Sequence, residues 1–265
     1  MNKKAIGIFD SGIGGLTVAK EINKQLPNEN IIYFGDTAHL PYGNKSEKSI
    51  IDFSVKNVEF LISKGVKIIV VACNTSTSVA IKYLQKKFKN IDIIGVINPG
   101  SKAAINSTQT NKIGVIGTFR TVKTSAYKKS IIKLSAKNKV YQQACPLFVP
   151  IIEENFNNKK IISEIIEEYL KPIIDKKIDT LVLGCTHYPL LKKQIKQIYK
   201  EITIVDSAKE TAKEVKQIIS SKNIKNNTNI SGKVSIFLND QSESFEIITK
   251  KLFPGNKSKL VNYNV

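Results

Sequence analysis

In 265 residues, strand-length apolar runs alternate with amphipathic helical windows, and this alternation predicts an α/β fold with mainly parallel sheets. Runs such as Ile68-Ile-Val-Val71 are apolar throughout, which fits strands buried on both faces. A loose internal repeat supplies the architecture. Ala5-Ile-Gly-Ile-Phe-Asp10-Ser11 is echoed by Lys112-Ile-Gly-Val-Ile-Gly117-Thr118, and Lys67-Ile-Ile-Val-Val-Ala-Cys73 by Asp179-Thr-Leu-Val-Leu-Gly-Cys185, in the same order. The offsets, 107 residues from Gly7 to Gly114 and 112 from Cys73 to Cys185, nearly agree. The expectation is two pseudo-symmetric α/β domains whose strand ends face one cleft, where ligands of parallel sheets bind.

The first strand, at 4–9, carries Ile6, Ile8 and Phe9 and runs through a glycine-rich turn into a helix at 15–25. A second strand at 30–35 precedes a long helix at 46–63. The third, at 67–72, ends on Cys73 and feeds a helix at 75–88; a fourth lies at 92–96. Pro and Gly interrupt the pattern at Asn98-Pro99-Gly100, which marks a domain boundary. Beyond it, strands at 112–117 and 139–142 flank a helix at 121–134. A helix at 161–175 places Ile161, Ile165, Ile166 and Tyr169 on one face. A strand at 180–184, a helix at 190–199 entered through Pro189, a strand at 201–205, a helix at 208–220 and a strand at 233–238 complete the series. The pattern leaves open whether the tail after Asp206 returns to the first domain.

The chain has 41 Lys+Arg against 22 Asp+Glu, a formal charge of +19, which is also the signature of polyanion binders. Only Arg120 is arginine, the residue favoured for bidentate phosphate and base contacts, and the lysines are spread over nearly every helix and loop. A solvated basic surface is expected rather than a nucleic-acid partner. No apolar run approaches the roughly 20 residues of a membrane helix. The N-terminus lacks the apolar core and cleavage site of a signal peptide. A cytoplasmic protein without membrane contact is expected. Three cysteines, with no Cys-x-x-Cys spacing, and only two histidines, His39 and His187, argue against a disulfide framework and a zinc site.

Candidate chemistry gathers at strand ends. Asp10-Ser11-Gly12-Ile13-Gly14-Gly15 can offer backbone N–H groups to an anion at a helix N-terminus. A dinucleotide-binding oxidoreductase would use such a turn, and Asp36 sits where a ribose-binding acid would. Yet the sixth position from Gly12 is Thr17, not glycine, and Asp10 would oppose a pyrophosphate. A helix-entry turn capped by Asp10 or Ser11 is the plainer alternative. Cys73 stands near a helix N-terminus, where the dipole favours a thiolate, although taken alone it reads as a buried small residue. Cys185 has His187 two residues on, able to polarise the thiol or move a proton, or to be a structural histidine. Glu153 is either a buried acid beside a site or an ordinary helix N-terminal charge, and the pattern favours the second. Cys145 lacks the strand-end setting and reads as packing. The cysteine pair outweighs its members. A thiolate and a thiol on opposite sides of a carbon can remove a proton from one face and deliver one to the other. Asp10 and His187 are placed to tune the thiols, which would titrate as a coupled pair.

The segments Gly7-Ile-Phe-Asp10-Ser11-Gly12-Ile13-Gly14-Gly15-Leu16-Thr17-Val18, Tyr33-Phe34-Gly35-Asp36-Thr37-Ala38, Pro41-Tyr42-Gly43, Ala72-Cys73-Asn74-Thr75, Cys145-Pro146-Leu147-Phe148-Val149-Pro150 and Gly184-Cys185-Thr186-His187-Tyr188-Pro189 resemble, in this order, the glutamate racemase family of the cofactor-independent aspartate/glutamate racemase superfamily. The resemblance implies interconversion of L- and D-glutamate, with D-glutamate supplied to peptidoglycan, and no pyridoxal phosphate or metal. It implies that Cys73 works on the D-glutamate face and Cys185 on the L-glutamate face, assisted by Asp10, Glu153 and His187. It places substrate binding at Asp10, Ser11, Tyr42, Gly43, Asn74, Thr75, Thr118, Thr186 and His187. His39 stands where family members often carry arginine. The C-terminal segment would rejoin the first domain, giving domains of 1–98 plus 208–265 and 99–207, and a homodimer is expected. Racemisation of aspartate or another acidic amino acid is the alternative within the superfamily.

Overall fold

Strand β3 (Ile68–Val71) is buried at all four residues, and β1 (Ile6–Asp10) and β7 (Thr180–Gly184) at all five, as strands covered on both faces must be. In the computed structural model, which describes residues 3–240, 243–256 and 258–261, these strands lie inside two parallel sheets. The first sheet runs, edge to edge, β10 (Ser258–Leu260), β9 (Val234–Leu238), β2 (Ile31–Gly35), β1, β3 and β4 (Asp92–Gly95). The second runs β6 (Lys139–Ala144), β5 (Lys112–Gly117), β7 and β8 (Thr203–Asp206). The orders β2-β1-β3-β4 and β6-β5-β7-β8 are one arrangement used twice. β1 pairs with β3 just ahead of Cys73, and β5 pairs with β7 just ahead of Cys185. The sequence repeat is therefore a repeat of topology.

Each sheet carries its own core. On the first, α1 (Leu16–Gln25) packs Leu16, Val18 and Ile22 against Ile6 and Ile8, joined by Ala212, Val215 and Ile219 of α10 (Ser207–Ser221) and by Phe245 of α11 (Glu243–Leu252). The other face is covered by Val58, Phe60 and Leu61 of α2 (Glu47–Ser63) and Ala80 and Leu84 of α3 (Asn74–Lys87). On the second, Ile162, Ile166 and Leu170 of α8 (Lys159–Ile174) meet Leu181 and Leu183. Each such fully buried aliphatic side chain contributes about 1.5–3 kcal/mol. A buried ion pair fastens the returning tail to the first sheet. Lys67 Nζ donates to Glu29 Oε2 at 2.5 Å and to the Ile224 carbonyl at 2.8 Å, while Glu29 Oε1 accepts from the Asn226 N–H at 2.8 Å. A buried pair with its spare bonds filled holds position better than it adds stability.

The structure corrects three readings. Asn98-Pro99-Gly100 does not interrupt the chain's regular structure; it lies in the first turn of α4 (Ile97–Ser107), where a proline's missing N–H has no intrahelical partner to lose. The helix expected at 121–134 is two helices, α5 (Phe119–Thr124) and α6 (Ala126–Leu134), broken at Ser125 in the left-handed region with φ 54°. Short α7 (Phe148–Glu153) and β10 carry too little periodic signal to be foreseen, whereas α11, as long and as amphipathic as α1, is an element beyond those expected. α9 (Lys192–Ile198) follows a 3-10 turn at Tyr188–Leu191. Residues 1–2, 241–242, 257 and 262–265 of the expected first domain lie outside the described residues. Among the described residues, no helix is long and apolar enough to cross a membrane.

Candidate active site

The carboxyl ends of β1 and β3 face those of β5 and β7, and both cysteines line the space between. Cys73 and Cys185 share a small pocket with Ser11, Tyr42 and Gly43, with Asn74, Thr75 and Thr118, and with Thr186 and His187. Leu40, Pro41 and Val149 complete its apolar wall; their residue types gave no signal in the sequence. The halves approach closely at Gly14, where an added Cβ would sit 2.5 Å from Thr186 Oγ1 and 2.7 Å from His187 Nδ1. At Gly43 it would sit 2.8 Å from Thr118 Cβ. Only glycine permits these contacts.

Cys73 is the N-cap of α3: the Ser76 N–H donates to its Sγ at 3.4 Å, and its own Sγ lies 3.6 Å from Ser11 Oγ. The dipole expectation fails here. Burial, then the nearby Asp10 carboxylate, push the thiol up to about 12, outweighing the Ser76 and Ser11 bonds. Cys73 rests as a thiol.

Cys185 is followed by no such helix start. Its partner is His187, with Nδ1 3.9 Å from Sγ, and His187 Nε2 in turn hydrogen-bonds Glu153 Oε1. Burial alone would lower the imidazole pKa. The bonds to Cys185 and Glu153, with their charges, overcome this and raise it well above its ordinary value. A cationic ring is thus held beside the sulfur, where it stabilises negative charge. Glu153 ends α7, so it is not a helix N-terminal charge; it faces the site through His187.

Asp10 does not line the cavity. It lies behind the glycine-rich turn, where Oδ2 accepts from the Gly15 N–H at 2.9 Å and the Gly12 N–H at 3.3 Å. Thr186 Oγ1 donates to it from the other half at 3.3 Å. The protein's own carboxylate occupies the amides a pyrophosphate would need, which rules out the dinucleotide geometry, and the N-cap of α1 is Gly15 rather than Asp10 or Ser11. Burial raises the Asp10 pKa despite the opposing His187 charge and these bonds.

The remaining lining groups are donors. Thr75 Oγ1 lies 2.9 Å from Thr118 Oγ1 and 3.2 Å from Thr121 Oγ1, so Thr121 supports the site without having been foreseen. Its spacing from the Thr118 N-cap was the available signal. Tyr42 OH donates to Asp36 Oδ2 and accepts from Asn57 Nδ2 at 3.1 Å, while Asp36 Oδ1 meets His39 Nδ1 at 2.7 Å and Asn239 Nδ2 at 2.5 Å. Asp36 therefore braces the Tyr42–Gly43 loop, and His39, stacked on Phe53, belongs to that brace. Cys145 is buried in the second core, outside the cavity lining. Among the described residues, no cluster of three or more His, Cys, Asp or Glu could hold a metal ion.

The Asp/Glu/hydantoin racemase family matches residues 6–215. A glutamate racemase of Persephonella marina is 48% identical over 242 residues, 91% of this chain and 90% of that protein. Among solved structures, a glutamate racemase isoform of Bacillus anthracis superposes with a TM-score of 0.94 at 39% identity, covering 100% of both chains. The glutamate racemase of Francisella tularensis, solved in complex with D-glutamate, gives 0.91 at 36% identity, covering 98% of each.

Proposed function

Because the chain belongs to the Asp/Glu/hydantoin racemase family, as one of its glutamate racemases, we propose that it interconverts L- and D-glutamate by two-base proton transfer between Cys185 and Cys73. The observation that carries this reading is that two thiols from two topologically equivalent strand ends line one pocket. Starting from L-glutamate, Cys185 as thiolate takes the Cα proton. The C–H bond breaks, an S–H bond forms, and the electron pair is delocalised into the α-carboxylate. Cys73 then gives its thiol proton to the opposite face of Cα and becomes the thiolate. Its raised pKa suits it as the donor in this direction, and the reverse reaction exchanges the roles.

His187 holds positive charge beside Cys185, and Glu153 holds His187. Asp10 braces the turn behind Cys73 and ties it to Thr186. Ser11, Asn74, Thr75, Thr118 and Thr186, with the Tyr42–Gly43 backbone, are placed to bind the two carboxylates and the ammonium of the substrate. These side chains are buried and so act through little water, which strengthens them toward the developing carbanion.

The cores described above support domains of 1–98 plus 208–265 and 99–207. A cytoplasmic site of action, where three unpaired cysteines stay reduced, and a supply of D-glutamate to peptidoglycan belong to the same reading. So does a homodimer, which sedimentation equilibrium would test.

The experiment incubates purified protein with L-glutamate, with no added cofactor, and follows loss of optical activity by circular dichroism. Racemisation is expected, and Cys73→Ala and Cys185→Ala should each lower it by about 10²- to 10⁴-fold. Full racemisation by either single variant would remove the two-thiol mechanism. Activity on aspartate but not glutamate would move the substrate.

A further inference from the structure

Asn74 lines the cavity yet is almost wholly buried, and the two ends of its amide are treated differently. Oδ1 accepts a hydrogen bond from the Tyr127 hydroxyl at 2.7 Å. Nδ2 is buried without a partner among the described residues. A buried donor left bare is costly, and it is the kind of group that a ligand satisfies. Tyr127 stands on α6, over the second sheet, whereas Asn74 opens α3 on the first. The bond thus crosses between the halves at the cavity wall.

The direction of that bond is constrained. Tyr127 is fully buried, and burial holds its proton far above the ordinary phenol range, so the hydroxyl always has a proton to give. Ser207, the first residue of α10, lies near the same phenol. The phenol gives its one proton to Asn74, and the amide presents Oδ1 to receive it. Turned over, the amide would aim Oδ1 at the substrate's carboxylates.

We propose that Tyr127 is a positioning residue that fixes the polarity of the Asn74 amide, so that Nδ2 donates to a carboxylate of the bound amino acid. This rests on the reading of the cavity as a glutamate site. A polar contact made equally in the ground and transition states shows in KM rather than kcat.

Tyr127→Phe keeps the ring and removes the hydroxyl. The expected result is a KM for both enantiomers raised about tenfold, with kcat within about threefold of wild type. In an Asn74→Ala background the same change should move KM by less than about twofold, because the phenol acts through the amide. Asn74→Asp keeps an acceptor for Tyr127 but puts negative charge in place of the donor, so it should raise KM at least as far as Asn74→Ala. An unchanged KM in Tyr127→Phe, a fall in kcat alone, an undiminished tenfold effect in the Asn74→Ala background, or a milder effect of Asn74→Asp than of Asn74→Ala overturns the inference. A wild-type KM in Asn74→Ala would instead remove the reading of the cavity on which it rests.

Discussion

The two halves of the molecule offer a thiol each, from equivalent strand ends, and treat it in opposite ways. Cys73 caps a 14-residue helix, the setting usually associated with a reactive thiolate, yet it is pushed up to about 12. Cys185 has no helix of its own to cap and instead has an imidazole whose pKa is raised by its bonds to Cys185 itself and to Glu153. A helix end supplies about half a unit of charge, and burial beside a carboxylate outweighs it. A full charge on a neighbouring ring, itself anchored, does not face that deficit. The lesson is that the same fold element twice need not mean the same chemistry twice, and a racemase gains from the difference.

The comparison breaks most completely when the cation is removed. His187→Asn should make the Cys185 side as poor in positive charge as the Cys73 side and lower kcat/KM by about 10²-fold. The equilibrium constant of a racemisation is unity, so the loss must be equal for L- and D-glutamate. A deficit confined to one enantiomer's kcat/KM would contradict thermodynamics rather than the mechanism, and would point to an assay fault.

Glu153→Gln weakens the anchor without removing the ring. Glu153 helps raise the His187 pKa, so without it the imidazolium is lost at lower pH. The alkaline fall in kcat/KM should move toward neutrality, with a loss of about tenfold at pH 8. An unchanged pH profile would show that Glu153 does not act through His187.

The smallest effect is on stability, at Asp10. Its folded pKa is raised, so its contribution to stability is fully present below the ordinary carboxylate range and is lost as pH rises through the raised value. Once ionised, the buried group is a net cost. Asp10→Asn should therefore raise the melting temperature at pH 7 by about 2–4 °C while lowering activity, and the gain should vanish below pH 4. A lower melting temperature at pH 7 would show that the Gly12 and Gly15 bonds outweigh the buried charge.

Much of this difference was invisible in the sequence. The strand ends, the repeat and both cysteines were legible because apolar runs of β3 and β7 and their following small polar residues are local signals. His187 was legible by its spacing from Cys185. What could not be read locally was how charge is distributed across the cleft. Asp10 sits 63 residues from Cys73 in sequence yet controls it, and Glu153 reaches His187 across 34 residues from a helix too short to have a pattern. The Tyr127–Asn74 bond spans 53 residues and starts from a first-turn tyrosine of α6 that sequence cannot distinguish from core. Pro99 misled for the opposite reason. A local breaker sits where a helix tolerates it.

The central claim, that two thiols act on opposite faces of one carbon, is tested most directly by isotope position. L-glutamate is incubated with the protein in deuterated water, and both enantiomers are separated and examined by NMR early in the reaction. The account predicts deuterium at Cα in the D-glutamate formed and protium retained in the remaining L-glutamate, because the proton is taken by Cys185 and replaced by Cys73. Product that keeps the substrate's protium, as a single base working on both faces would give, would contradict it.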